Sequence, residues 1–81
     1  MSNEEKYVNA FVEAFEIDAD TAKTLKYQQI PAWDSVGHMG LMAGIEEAFE
    51  VMMEPDDIID FSSYEKGKEI LSSKYGVAFS E

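Results

Sequence analysis

Apolar residues recur along this chain at spacings of three and four, and nowhere do they alternate with polar ones over the length of a strand. Ser2-x-x-Glu5 reads as a capping box opening a helix. Behind it Tyr7, Val8, Phe11, Val12 and Phe15 form one apolar stripe, and the helix should end near Glu16. Ile17 to Asp34 is long and less periodic. It has room for one short turn after Asp20-Thr21 and is otherwise a loop through Ile30-Pro31, where Pro31 disfavours helix just before it. A second helix is predicted from about Ser35 to Glu50. A short third follows, with Pro55 at its first position and Asp56-Asp57 complementing the N-terminal dipole. Ser62-x-x-Glu65 is a further capping box, and Tyr64, Ile70, Leu71 and Tyr75 give the last helix its stripe. Gly76, after Lys74, is its stop. The expected fold is all-α: one domain over residues 1–81, a small bundle of three main helices and one short one, with a long loop between the first two.

On a wheel of 3.6 residues per turn the second helix divides cleanly. One arc, taken as buried, holds His38, Leu41, Met42, Ile45, Ala48 and Phe49. The other holds Val36, Gly37, Gly40, Ala43, Gly44, Glu47 and Glu50, with Met39 and Glu46 at a border. Each interior glycine costs roughly 1 kcal/mol against alanine. Placed outward, the three glycines do not serve the core; they smooth a face on which another protein could lie, or they have no role.

Composition narrows the class. An 81-residue chain without cysteine folds as a single core with no disulfide or thiolate metal site behind it. It should be only marginally stable. No apolar run reaches bilayer length, and no apolar segment follows a basic one at the N-terminus. A cytoplasmic monomer with no membrane insertion and no signal peptide is expected. Charge adds more. Seventeen acidic residues face six lysines and no arginine, for a net charge of −11, which repels nucleic acid. Between Lys26 and Lys66 there are nine acidic residues and no lysine, which predicts a partner with a basic surface.

Ser35 stands where the long loop meets the second helix. First-turn N–H groups there have no helical partner and favour an anion, so a phosphodiester on Ser35 would sit in a favourable field. The plainer reading makes Asp34 or Ser35 an ordinary N-cap. Trp33-Asp34-Ser35-Val36, followed by an amphipathic helix ending Ile45-Glu46-Glu47-Ala48-Phe49, resembles the acyl carrier protein family. So do the length, the helix order, the acidity, and Phe61-Ser62-Ser63-Tyr64 at the turn into the last helix.

That resemblance implies a covalent 4'-phosphopantetheine on Ser35, with Asp34 as the motif acid that assists a phosphopantetheinyl transferase and its metal. The chain itself would have no catalytic residue and no resident metal. Partners would be acyl- or aminoacyl-loading and acyl-transferring enzymes with basic docking surfaces, meeting Val36, Met39, Ala43, Glu46, Glu47 and Glu50. Val36 replaces the family's usual leucine, and Gly37 and Gly40 stand where fatty-acid carriers are acidic. Those departures, with Trp33, resemble carriers dedicated to one pathway. An aminoacyl carrier of peptidyl or D-alanyl type and an unmodified acidic helical adaptor are the alternatives. Met39, Met42, Met52 and Met53 could line an acyl site or simply pack the core. A hydrolase on Ser35 and His38 lacks a Gly-x-Ser-x-Gly elbow and any residue to orient the histidine. A calcium loop opening at Asp18-x-Asp20 fails because Lys23 and Gln29 hold the places of its glycine and glutamate.

Overall fold

Four of the five described helices begin at a residue whose side chain caps the first turn, and the fifth begins at a proline. The computed structural model describes residues 2–79. Helix α1 spans Asn3–Phe15 and opens with the reciprocal box: the Glu5 amide donates to Ser2 Oγ (3.1 Å) and the Ser2 amide to Glu5 Oε1 (3.1 Å). Glu16 ends it in the left-handed region, its amide donating to the Val12 carbonyl (2.8 Å). Tyr7, Val8, Phe11 and Phe15 are buried; Val12 is only partly covered.

The long first loop contains α2, Ala19–Ala22. The cap is Asp18, whose Oδ1 accepts from the Thr21 amide (2.8 Å), so Asp20-Thr21 lie inside this turn rather than before it. Helix α3 is Ser35–Phe49, α4 is Pro55–Asp60 with proline at its first position, and α5 is Tyr64–Lys74. Among the described residues there is no strand, so the all-α expectation holds, with one short helix more than was predicted. No helix there is long and apolar enough to cross a membrane.

The cap of α5 differs from expectation. Ser63, not Ser62, accepts from the Lys66 amide (3.0 Å), and no capping box forms with Glu65. The Ser62 carbonyl is committed elsewhere: it accepts from the Tyr27 amide (2.9 Å), while the Tyr64 amide donates to the Leu25 carbonyl (2.9 Å). These two bonds stitch the first loop to the α4–α5 connection and override the local signal. Gly76, at φ 70°, closes α5 as predicted, with the Tyr75 and Val77 amides both donating to the Leu71 carbonyl.

The core is one cluster in which a chain of aromatic rings along α1 packs against aliphatic side chains. Tyr7 and Phe11 of α1 meet edge to face (5.1 Å between centroids), and Phe11 meets Trp33 likewise (5.5 Å). Such pairs add about 0.5–1.5 kcal/mol beyond the burial of their area. Phe61 and Tyr64 close this cluster, and Leu41, Met42 and Ile45 of α3 fill the space along α1. Of the face assigned to the core, Ala48 and Phe49 are only partly buried.

Candidate functional site

Four residues place Ser35. Trp33 is fully buried and anchors the end of the loop among Phe11, Phe15 and Tyr27. Its indole Nε1–H donates to His38 Nδ1 (2.9 Å). The His38 Nε2–H donates to the Ile58 carbonyl of α4 (2.7 Å). One neutral imidazole therefore joins the loop, α3 and α4. Both ring nitrogens are engaged, so His38 has no lone pair to offer Ser35.

Asp34 is the N-cap of α3: its Oδ1 accepts from the Gly37 amide (2.8 Å), and its carbonyl from the His38 amide (2.8 Å). Ser35 is thus exposed at the first helical position and free of the capping role. The Ser35 and Val36 amides lie in the first turn, where the helix provides no partner and an anion is favoured.

Gly37 is not part of a smooth outer face, as the wheel suggested. A Cβ there would lie 1.9 Å from the Ala32 carbonyl oxygen and 3.3 Å from Phe15. The loop crosses so close to the first turn that only glycine fits, and this crossing is what presents Asp34-Ser35. Gly40 and Gly44 do face open space.

Beside Ser35, between α3 and α4, is a cavity of about 430 Å³. Met39, Ile58, Ile59, Phe61 and Tyr27 give it mainly apolar walls, and His38 and Ser62 supply its polar edge. Of the four methionines considered for such a site only Met39 lines it; Met42 and Met53 pack in the core and Met52 is exposed. Val36 and Met39 are exposed apolar residues on this side of α3. Ala43, Glu47 and Glu50 are also exposed, but Glu47 borders a separate groove between α1 and α3, with Gly40 and Gly44. Glu46 is partly covered, and its Oε2 accepts from the Met53 amide (2.9 Å), so it braces the turn after α3 rather than standing free. The proposed partner residues therefore do not form one uniform face.

Sequence reasoning missed what holds α4. Asp57 is buried, its carboxylate accepting from Lys74 Nζ (2.7 Å) and from the Tyr75 hydroxyl (2.6 Å). The same hydroxyl accepts from the Glu54 amide (2.9 Å). Bonding to Lys74 first, then Tyr75, holds the Asp57 carboxyl below its ordinary value of 3.8, with burial acting in the opposite sense. A depressed folded value makes this contribution complete at neutral pH and removes it as pH falls through that value. The melting-temperature gap between wild type and Asp57→Asn should be widest at neutral pH and narrow steadily once the pH falls below the ordinary value of 3.8. A gap independent of pH would mean that the carboxylate charge is not what α5 holds.

Among the described residues no three His, Asp or Glu side chains are grouped to hold a metal ion. Comparison with known protein families, characterised proteins and solved structures gave no match.

Proposed function

We propose that this chain is an acyl carrier protein: it holds acyl groups as thioesters on a 4'-phosphopantetheine arm at Ser35 and has no catalysis of its own. The observation that carries this reading is the placement of Ser35. Its hydroxyl is exposed and is not the helix cap, it stands at the first turn of α3 where an anion is favoured, and it lines a largely apolar cavity. Asp34 fixes that turn through Gly37 and takes the capping role, so the serine hydroxyl is not needed for it.

In the loading step Ser35 Oγ would attack the pyrophosphate of coenzyme A, the new O–P bond forming as the adenosine bisphosphate half leaves. The serine proton would pass to a base of the transferase, since His38 has none to offer. The arm supplies the terminal thiol that carries cargo, so the bond-making belongs to it and to partner enzymes. Apolar walls at the cavity favour an acyl chain over an aminoacyl group. The exposed Glu47, Glu50, Asp56 and Asp60 favour partners with basic surfaces, and their effect is chiefly on association rate.

Intact mass after incubation with a phosphopantetheinyl transferase and coenzyme A tests the reading. Wild type should gain one arm, and Ser35→Ala should fold equally well and gain none. An unmodified wild type would leave the acidic adaptor as the better description, and a modified Ser35→Ala would place the arm elsewhere.

A further inference from the structure

Helix α4 is held in an unusual way. Its only buried side chain is a carboxylate, that of Asp57, while Ile58 is partly covered and Ile59 is 77% exposed. Hydrophobic burial within the helix therefore does little to seat it. Polar bonds do that instead. On the α5 side Asp57 is gripped by Lys74 and Tyr75, and Tyr75 also takes the Glu54 amide at the start of α4. On the α3 side the Ile58 carbonyl is fixed by His38. Two residues along a helix turn through about 200°, so Asp57 and Ile59 lie on nearly opposite faces. Ile59 lines the cavity beside Ser35, and Asp57 faces α5.

We infer that the Asp57–Tyr75–Lys74 cluster is a latch that sets the opening of this cavity, and so the rate at which an apolar chain enters and leaves it. The His38–Ile58 bond is the pivot. With the latch made, α5 draws the Asp57 face of α4 toward itself and fixes Ile59 across the cavity from Met39. With it broken, α4 turns about Ile58 and the cavity mouth widens. Met53 and Phe61, both buried, hold the chain at either end of α4, so release of the latch need not unfold the protein. The Lys74 side chain is 56% exposed and that of Asp57 only 5%, which puts one side of the latch within reach of water and of a docking partner.

The test uses the full unmodified chain and phenylnaphthylamine, a neutral apolar fluorophore, with exchange followed by stopped-flow fluorescence. It is therefore independent of whether Ser35 accepts an arm. Tyr75→Phe keeps the ring but removes the hydroxyl from both Asp57 and the Glu54 amide. It should speed probe release roughly tenfold or more, the scale of one lost bond to a charged group. Lys74→Met, which keeps the aliphatic stem, should act in the same direction, and it carries the test if Tyr75→Phe does not fold. Val8→Ala, a destabilising change on α1 away from the cavity, should leave release at the wild-type rate. The latch is overturned if the folded Tyr75 and Lys74 variants release probe as wild type does, if Val8→Ala speeds release equally, or if wild type binds no probe.

Discussion

Gly67→Ala should all but unfold this protein, although it adds one methyl group. A Cβ at that position of α5 would lie 2.0 Å from Phe61 Cζ and 2.3 Å from the Tyr7 hydroxyl. Neither ring can retreat. Both are fully buried, and the Tyr7 hydroxyl donates to the Tyr64 carbonyl (2.6 Å). Overpacking of this kind costs about 1–3 kcal/mol, and loss of the Tyr7 bond would leave a buried carbonyl unpaired at about 1–3 kcal/mol more. The total stability of a chain this size is on the order of 4–12 kcal/mol. Thermal melting should fall by about 15–30 °C. Gly40→Ala is the matched control, because its Cβ meets nothing within 4 Å and the helix gains up to about 1 kcal/mol. It should melt a few degrees higher. If the two alanines melt alike, the packing of α5 against Tyr7 and Phe61 is looser than the structure has it.

These glycines mark where sequence reasoning stops. Caps and breakers are local, and the chain shows them openly: Ser2 with Glu5 and Pro55 at the start of α4 act where they were expected, and of the two cap candidates Asp34 and Ser35 it is Asp34 that caps. The same local logic placed Gly37 on an outer face, because a helical wheel knows nothing of the Ala32 carbonyl that crosses it. It passed over Gly67 for the same reason: its neighbours Phe61 and Tyr7 come from outside α5.

At the candidate site, Asp34 and Ser35 were legible from their position before the second helix. The cavity beside them was not, since Tyr27 and Phe61 reach it from separate loops. Ile59, an apolar residue exposed in a short acidic helix, was the one signal available. Asp57 was hidden more thoroughly. An aspartate in the first turn is already explained by the helix dipole, and the groups that bury it, Lys74 and Tyr75, lie 17 and 18 residues away.

Trp33 offers the strongest link between the core and the site, and removing it should disable both. Trp33→Ala deletes a fully buried indole, a change that costs about 3–5 kcal/mol, and it strips His38 Nδ1 of its donor. Little or no fixed tertiary structure should remain by near-UV circular dichroism. Trp33→Phe separates the two contributions. It keeps an aromatic ring against Phe11 and Phe15 but cannot donate to His38. That variant should fold, with a melting temperature lowered by about 5–15 °C for the lost bond and the smaller ring.

Its more telling effect concerns Ser35. Without the indole N–H, the imidazole no longer joins the loop to α4, and Asp34-Ser35 loses one of the restraints on its approach to α3, the Asp34 cap and the Ala32–Gly37 crossing remaining. On the proposed reading of Ser35 as the attachment residue, arm transfer should therefore slow in Trp33→Phe by more than its stability loss explains. A double-mutant cycle with His38→Leu isolates the pair: the two changes together should cost less than the sum of the separate ones, because both break the same bond. Additive losses, with transfer at the wild-type rate in Trp33→Phe, would show that the indole–imidazole bond does not position the serine. The close approach of Ala32 to Gly37 would then be what presents Ser35, and enlarging Gly37 would be the substitution that abolishes transfer.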